Sequence, residues 1–151
     1  IQLRRALCPG GLFLASIPLL GTLAELRAAL TEAEAALTGG AAPRVSPFPD
    51  LRDCAGLLQR AGFVMPVADA EEARLLYADP LALLRDLQAA GEANATVLRS
   101  RRIPPRALFP TALAALPRAE GRFAVTLRLG FLTGWAADSG LPPAAPSGTG
   151  G

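Results

Sequence analysis

The chain has 151 residues, enough for one domain with a hydrophobic core, and 51% of them are hydrophobic, which favours a folded protein over a disordered one. The formal net charge is only +2 and every basic residue is Arg, so we do not expect binding to nucleic acid through phosphate neutralisation. The lack of His excludes Ser-His-Asp and Cys-His catalytic sites and histidine metal sites. Cys8 and Cys54, far apart in sequence, indicate neither a zinc site nor a disulfide framework, and they fit a reducing compartment.

Residues 1–20 predict the end of a helix, a turn and a buried strand. The turn is Pro9-Gly10-Gly11, and the continuous apolar run over residues 12–16 is typical of a parallel-sheet strand covered on both faces. A chain that begins with Ile1 inside a helix suggests a fragment or processed protein. Arg4-Arg5 followed by an apolar run also fits a signal peptide, although the intervening turn argues against it. The run is too short to span a bilayer, so we expect no membrane partner.

Two helices follow the first strand. Thr22-Leu23-Ala24-Glu25 has the spacing of a capping box, and apolar residues continue at helical spacing until Gly39-Gly40 ends the helix. After a proline-rich loop over residues 41–49, Asp50 is the predicted N-cap of the second helix. The apolar face of this helix is formed by Leu51, Cys54, Leu58 and Ala61.

The second half of the chain predicts more strands and helices. Residues 63–67 read as a strand, placed at a sheet edge by Pro66, and residues 73–77 as its antiparallel neighbour. Asp79-Pro80 predicts the start of a helix that continues with Leu81, Leu84 and Leu87 to Gly91. Prolines leave room for one short helix near residues 108–116. A strongly alternating strand follows, with the inward residues Phe123, Val125, Leu127, Leu129 and Phe131.

These elements predict an α/β fold over residues 1–136, which alone would make a poor domain. Residues 137–151 are rich in Pro, Gly and Ala, which predicts a disordered tail. The first strand requires neighbours on both sides, so we expect the upstream half of the same domain as its partner.

Several segments resemble the class I S-adenosylmethionine (SAM) methyltransferases. Leu3-Arg4-Arg5-Ala6-Leu7-Cys8-Pro9-Gly10-Gly11-Leu12-Phe13-Leu14 is similar to the helix, turn and fifth strand of that superfamily, although the family usually has Lys where this chain has Cys8. More specific matches resemble the subgroup of the mitochondrial complex I assembly factor, reported as an arginine hydroxylase, and its bacterial relatives. They are Arg44-Val45-Ser46-Pro47-Phe48, Asp53, Leu57-Leu58, Arg60-Ala61-Gly62-Phe63, Tyr77, Leu84-Arg85-Asp86-Leu87, Gly91, Asn94 and the segment from Gly121 to Trp135. Malonyl-acyl-carrier-protein methyltransferases are similar at greater distance.

The resemblance implies the C-terminal portion of a Rossmann-like methyltransferase sheet, in which the segment from Phe123 to Trp135 is the final, antiparallel strand. We expect residues Phe123 to Phe131 of this strand to pair with Leu12 to Ser16. It also implies that the parent protein uses SAM and that the strands carrying the SAM-binding motif are missing from this chain. Gly10-Gly11 precedes a strand and Gly39-Gly40 follows a helix, so neither is the glycine-rich loop of a cofactor site. No cofactor-binding or metal residue is assigned, and the catalytic residues remain unknown.

Four residues are candidates for substrate binding. Arg44, Ser46 and Phe48 belong to the proline-framed loop, where Arg44 could bind a carboxylate and Phe48 could line a pocket; the alternative is a structural loop. Tyr77 could hydrogen-bond a ligand or pack half-buried. Asp50 and Asp53 suggest acid–base work but fit helix capping better. Glu92 and Asn94 are better explained by a turn at the end of a helix. Cys54 and Trp135 are better explained by packing.

Three functions remain open for the parent protein. It is a SAM-dependent methyltransferase acting on an unknown acceptor, an assembly factor acting by partner binding, or a protein arginine hydroxylase of the same fold. A protein or an acyl-carrier protein is the expected substrate. The expected location is the cytoplasm of a bacterium, or the mitochondrial matrix in a eukaryote.

Overall fold

The computed structural model describes residues 1–40, 47–91 and 104–137, and within them the chain is an α/β protein. The elements in chain order are α1 (Gln2–Ala6), β1 (Leu12–Pro18), α2 (Ala24–Thr38), α3 (Leu51–Arg60), β2 (Phe63–Tyr77), α4 (Pro80–Ala89), α5 (Leu108–Ala114), β3 (Arg118–Ala119) and β4 (Arg122–Ala136). The strands form one sheet in the order β1-β4-β2, and the short β3 pairs with β4. This confirms the predicted fold class. The proposed tail lies outside the described residues, apart from Ala137.

The last strand pairs antiparallel with the first strand of the chain, as predicted. Leu12 lies opposite Trp135, and the register continues to Pro18 opposite Leu129. The partner of residues 12–16 is therefore residues 131–135, so the predicted pairing segment, residues 123–131, was wrong except for Phe131. The end of β4 is also fixed to the predicted turn, because Gly10 N donates to Ala136 O at 2.9 Å and Ala136 N donates to Gly11 O at 2.8 Å.

Two compact units divide the chain, and each has its own core. Of the described residues, the first unit contains 1–20, 49–71 and 129–137, and the second contains 21–40, 47–48, 72–91 and 104–128. The core of the first unit is formed by Leu19, Cys54, Leu58, Phe63 and Leu132. The core of the second unit is built mainly from α2, α5 and the start of β4, with Leu108 and Ala112 fully buried.

Strand β1 is covered on only one face within the first unit. Phe13, Ala15 and Ile17 pack against the core, whereas Leu12 and Leu14 are 52% and 68% exposed. The prediction of a strand covered on both faces was therefore wrong for this chain. A continuous apolar run does not reveal which of its faces finds a partner. The exposed large apolar residues of this unit also include Met65, Val67 and Phe131.

Strand β2 is one continuous strand of 15 residues, where two short antiparallel strands were predicted. Residues 68–72 contain no Gly, Pro or Asn, so no hairpin turn separates the two halves. The edge position inferred from Pro66 is confirmed, since β2 ends the strand order. A left-handed Met65, with φ of 48°, interrupts the alternation: Phe63 faces the core before it, and Ala68 and Ala70 face the core after it.

The local signals for helix ends are mostly confirmed. Asp50 accepts a hydrogen bond from Arg52 N at 2.8 Å, and Asp79 accepts one from Leu81 N at 2.9 Å. Gly39 ends α2 in a left-handed conformation that glycine adopts without steric cost. In α4 the predicted apolar face is rotated, because Leu83 is 1% exposed whereas Leu81 is 52% exposed.

The predicted alternation of β4 is correct only for its first half. Phe123 and Val125 are buried, but Leu132 replaces Phe131 on the core side, and Phe131 is 37% exposed. The strand begins in a hairpin that the sequence analysis missed. Ala119 lies opposite Arg122, and the two turn residues Glu120 and Gly121 both have positive φ, at 53° and 73°. Two positive φ angles are typical of the type I′ turn that connects tight hairpins.

Candidate functional site

The predicted substrate loop is only partly described. Arg44 and Ser46 lie outside the described residues, so their role stays a prediction. Phe48 is half-buried and lies two residues before the Asp50 cap of α3. A half-buried ring fits both the pocket wall and the core plug that the sequence allowed, and the assignment of Phe48 to substrate binding also stays a prediction.

Tyr77 lies at the end of β2 and is held by packing and by one hydrogen bond. Its ring packs against the core of the second unit, and its hydroxyl donates to Asp86 Oδ2 at 3.1 Å. Burial raises the pKa of Tyr77, and the hydrogen bond and the negative charge of Asp86 raise it further. The phenol therefore stays protonated at neutral pH and is suited to hydrogen bonding rather than to acting as a base.

The two aspartates at the start of α3 stabilise the helix. Asp50 caps the helix and Asp53 lies in its first turn, where a negative charge stabilises the helix dipole. Cys54 is 3% exposed in the core of the first unit. Burial raises the pKa of the Cys54 thiol, and the charges of Asp53 and Asp50 raise it further, so the thiolate needed for nucleophilic chemistry is disfavoured.

Trp135 and the two residues after α4 complete the list of candidates. Trp135 lies opposite Leu12 in the sheet and is partly buried. Glu92 and Asn94 lie outside the described residues. Within the described ranges no group of three or more Cys, Asp or Glu side chains could hold a metal ion. No helix in those ranges is both long enough and apolar enough to cross a bilayer.

The most connected polar cluster of the second unit was missed by sequence reasoning. Thr22 and Glu25, predicted to cap their own helix, instead bond to β4. Thr22 Oγ1 accepts from Arg128 N at 3.0 Å and donates to Arg128 O at 2.8 Å. Glu25 accepts from Thr126 N at 3.0 Å and from Thr126 Oγ1 at 2.5 Å. The capping-box prediction was therefore wrong, since the N-cap of α2 is Leu23 and has no side-chain cap.

Charged side chains from β2 surround this cluster. Arg128 Nε lies 3.5 Å from Glu72 Oε2, and Arg74 is close enough to act on Glu25. Burial raises the pKa of Glu25, but the two hydrogen bonds from Thr126 and the charge of Arg74 outweigh it, and the net pKa is lowered. Glu25 is therefore ionised at neutral pH. The only sequence signal for this cluster was the Thr22 and Glu25 spacing, which fits two different sets of partners equally well.

The α/β fold has its final strand antiparallel to β1, the arrangement that the resemblance to the methyltransferases implies. No protein-family model matches the chain. It is 35% identical over 139 residues to arginine-hydroxylase NDUFAF5, mitochondrial, of Dictyostelium discoideum, and 32% identical over 139 residues to the human protein of that name. It is 36% identical over 139 residues to a malonyl-[acyl-carrier protein] O-methyltransferase of Xylella fastidiosa. These matches confirm the resemblance: the chain is related to both groups of class I methyltransferase-like proteins.

The matches are uneven in coverage. They include 89–90% of this chain but only 32%, 40% and 45% of the Dictyostelium, human and Xylella proteins, respectively. The chain therefore spans between about a third and less than half of the length of the relatives it matches.

Proposed function

We propose that the chain is part of a SAM-dependent methyltransferase that transfers a methyl group to a protein or to a group carried by an acyl-carrier protein. The observation that carries this proposal is the antiparallel pairing of β4 with β1, in a chain that matches a protein named as a methyltransferase over 90% of its length. Catalysis in this class rests mainly on positioning the acceptor against the methyl group.

The residues that hold SAM belong, in this proposal, to the part of the relatives' length that this chain does not span. The described residues do not fit the cofactor. The turn from β1 to α2 contains one glycine, Gly21, where a dinucleotide-type site uses several. The backbone N–H of Leu23, which begins this helix, already donates to Thr126 O at 2.8 Å. The first turn therefore does not present a free glycine-rich cradle, and no step of the reaction is assigned to it.

The upstream half of the domain is the proposed partner of β1. The two edges of the sheet differ in charge. Residues 12–18 of β1 include no charged side chain, whereas the β2 edge has Asp69, Glu71, Glu72 and Arg74, all exposed. Charged residues protect a free sheet edge against further pairing, so β2 has the character of a terminal strand and β1 that of an internal one. The exposed Leu12 and Leu14 support a covering element on the same face.

Arginine hydroxylation or partner binding is the alternative, because a protein named arginine-hydroxylase matches the same 139-residue length at 35% identity. In either case we propose a cytoplasmic location in a bacterium and the mitochondrial matrix in a eukaryote.

The test uses the full-length parent protein with SAM labelled in its methyl group. We expect label to appear in malonyl-acyl-carrier protein or in a protein acceptor. A parent that binds SAM but adds oxygen to an arginine side chain would support the alternative. A parent that binds a partner protein and shows neither reaction would support the assembly role. The strength of SAM binding by the parent, measured by calorimetry, is the control for a correctly folded site.

A further inference from the structure

The segment between β1 and α2 continues along β4 after β1 has ended. The last pair of the β1 register is Pro18 and Leu129. Beyond it, the N–H and C=O groups of Thr126 and Arg128 lack a strand partner in β1. All four groups are bonded by residues of the segment Gly21–Glu25, through one backbone N–H, one hydroxyl and one carboxylate. The segment therefore replaces a strand with side-chain hydrogen bonds.

This segment has a strained backbone. Leu23 has φ of 54° and ψ of 31°, in the left-handed region that is strained for a residue with a side chain. Gly21 has φ of +100°, and a Cβ added there would lie 2.8 Å from Arg128 Cδ. Such a conformation persists only where surrounding contacts hold it. Here the contacts are the bonds to β4.

The hydrogen bonds that hold the segment differ in strength. The bonds made by Leu23 and Thr22 are between neutral groups, whereas Glu25 receives two hydrogen bonds on an ionised carboxylate. Charge-assisted hydrogen bonds are roughly twice as strong as neutral ones. The other charged groups of the cluster are Arg74 and Glu72 of β2 and Arg128 of β4. Glu25 is therefore the member of the cluster whose loss weakens the attachment most.

The remainder of α2 is held by core packing and not by the hydrogen bonds to β4. Leu26, Ala29, Leu30 and Ala33 are each 3–5% exposed in the core of the second unit. We propose that Gly21–Glu25 is a strap that the ionised Glu25 side chain keeps closed on β4, and that neutralising this side chain opens the strap while the rest of α2 stays packed. Opening breaks the hydrogen bonds that this segment makes to Thr126 and Arg128.

Amide hydrogen exchange of the 151-residue chain, measured by NMR, tests the strap. In Glu25→Gln we expect the Thr126 amide to lose protection by roughly ten- to a hundredfold, the range of a lost charge-assisted bond. The Leu30 amide, inside α2, should change by less than about threefold. Glu32→Gln removes the same charge from an exposed position of the same helix and should leave both amides unchanged. Equal loss of protection at Thr126 and Leu30, or no change at Thr126, overturns the proposal.

A pH titration of the wild-type chain provides a test that needs no variant. A carboxylate with a lowered folded pKa stabilises the closed strap above its unfolded pKa, and this stabilisation is lost as the pH falls through the folded value. Protection factors, corrected for intrinsic exchange, should therefore fall at Thr126 at a higher pH than at Leu30. Loss of protection at both amides at one pH would show that the strap does not open by itself.

Discussion

Gly130 of β4 lies against the most buried leucine of the first unit, and replacing it with alanine should destabilise the protein. A Cβ built at this position would lie 2.9, 3.0 and 3.1 Å from three side-chain carbons of Leu19. Leu19 is 1% exposed and belongs to the core, so its side chain cannot move into solvent. The extra methyl group must therefore be accommodated by moving the core or the strand.

Two effects of opposite sign determine the size of the loss. Overpacking of a core costs about 1–3 kcal/mol. Replacing glycine within a strand removes an entropic penalty of roughly 0.5–1 kcal/mol. For Gly130→Ala we therefore expect a net loss of about 1–2 kcal/mol in the free energy of unfolding. In a chain of this size that corresponds to a fall in Tm of roughly 2–8 °C.

Urea denaturation of four variants, Gly130→Ala, Gly40→Ala, Leu19→Ala and the double variant of positions 19 and 130, measures this effect. Gly40→Ala is the matched control, because a Cβ at Gly40 has no atom within 4 Å, and it should be neutral or slightly stabilising. Leu19→Ala removes the side chain that Gly130→Ala contacts, so in that background the second substitution should cost close to nothing. Additive losses in the double variant, or a Gly130→Ala protein as stable as the wild type, would refute the reasoning.

Three further predictions concern the cofactor, the exposed sheet and the cysteines. By calorimetry the chain alone should bind SAM weakly or not at all, and micromolar affinity would contradict the proposed location of the cofactor site. The chain should self-associate in sedimentation experiments or melt at low temperature, because each large apolar side chain left in water forfeits about 1.5–3 kcal/mol of burial free energy. Replacing the exposed Leu14 in Leu14→Lys should reduce association. A monomer with a thermal transition as high as that of the full-length parent would contradict the prediction. A thiol reagent at neutral pH should modify the exposed Cys8 quickly and the buried Cys54 only on unfolding, since burial raises the pKa of the Cys54 thiol. Equal rates of modification would show that the core of the first unit opens readily.

Several helix ends of this protein were predictable from the sequence. Asp50 and Asp79 each accept a hydrogen bond from an N–H two residues further along, and Gly39 ends α2 with its own conformation. Such signals act over a few residues, and nothing distant competes with them. The antiparallel pairing of β4 with β1 was also predicted, but through the family resemblance rather than through the pattern of either strand.

Only the tertiary structure decided what the polar and apolar side chains contact. Thr22 and Glu25 have the spacing of a capping box, yet their partners are 101 to 106 residues away on β4. The run at residues 12–15 is apolar throughout, yet only one of its faces lies on a core. Hydrogen-bonding capacity and hydrophobicity are properties of a residue type, whereas the partner is determined by which distant strand the fold brings alongside. For that reason the sequence indicated most of the helices and the family resemblance, and the structure alone revealed the hydrogen bonds of Gly21–Glu25 to β4 and the open face of β1.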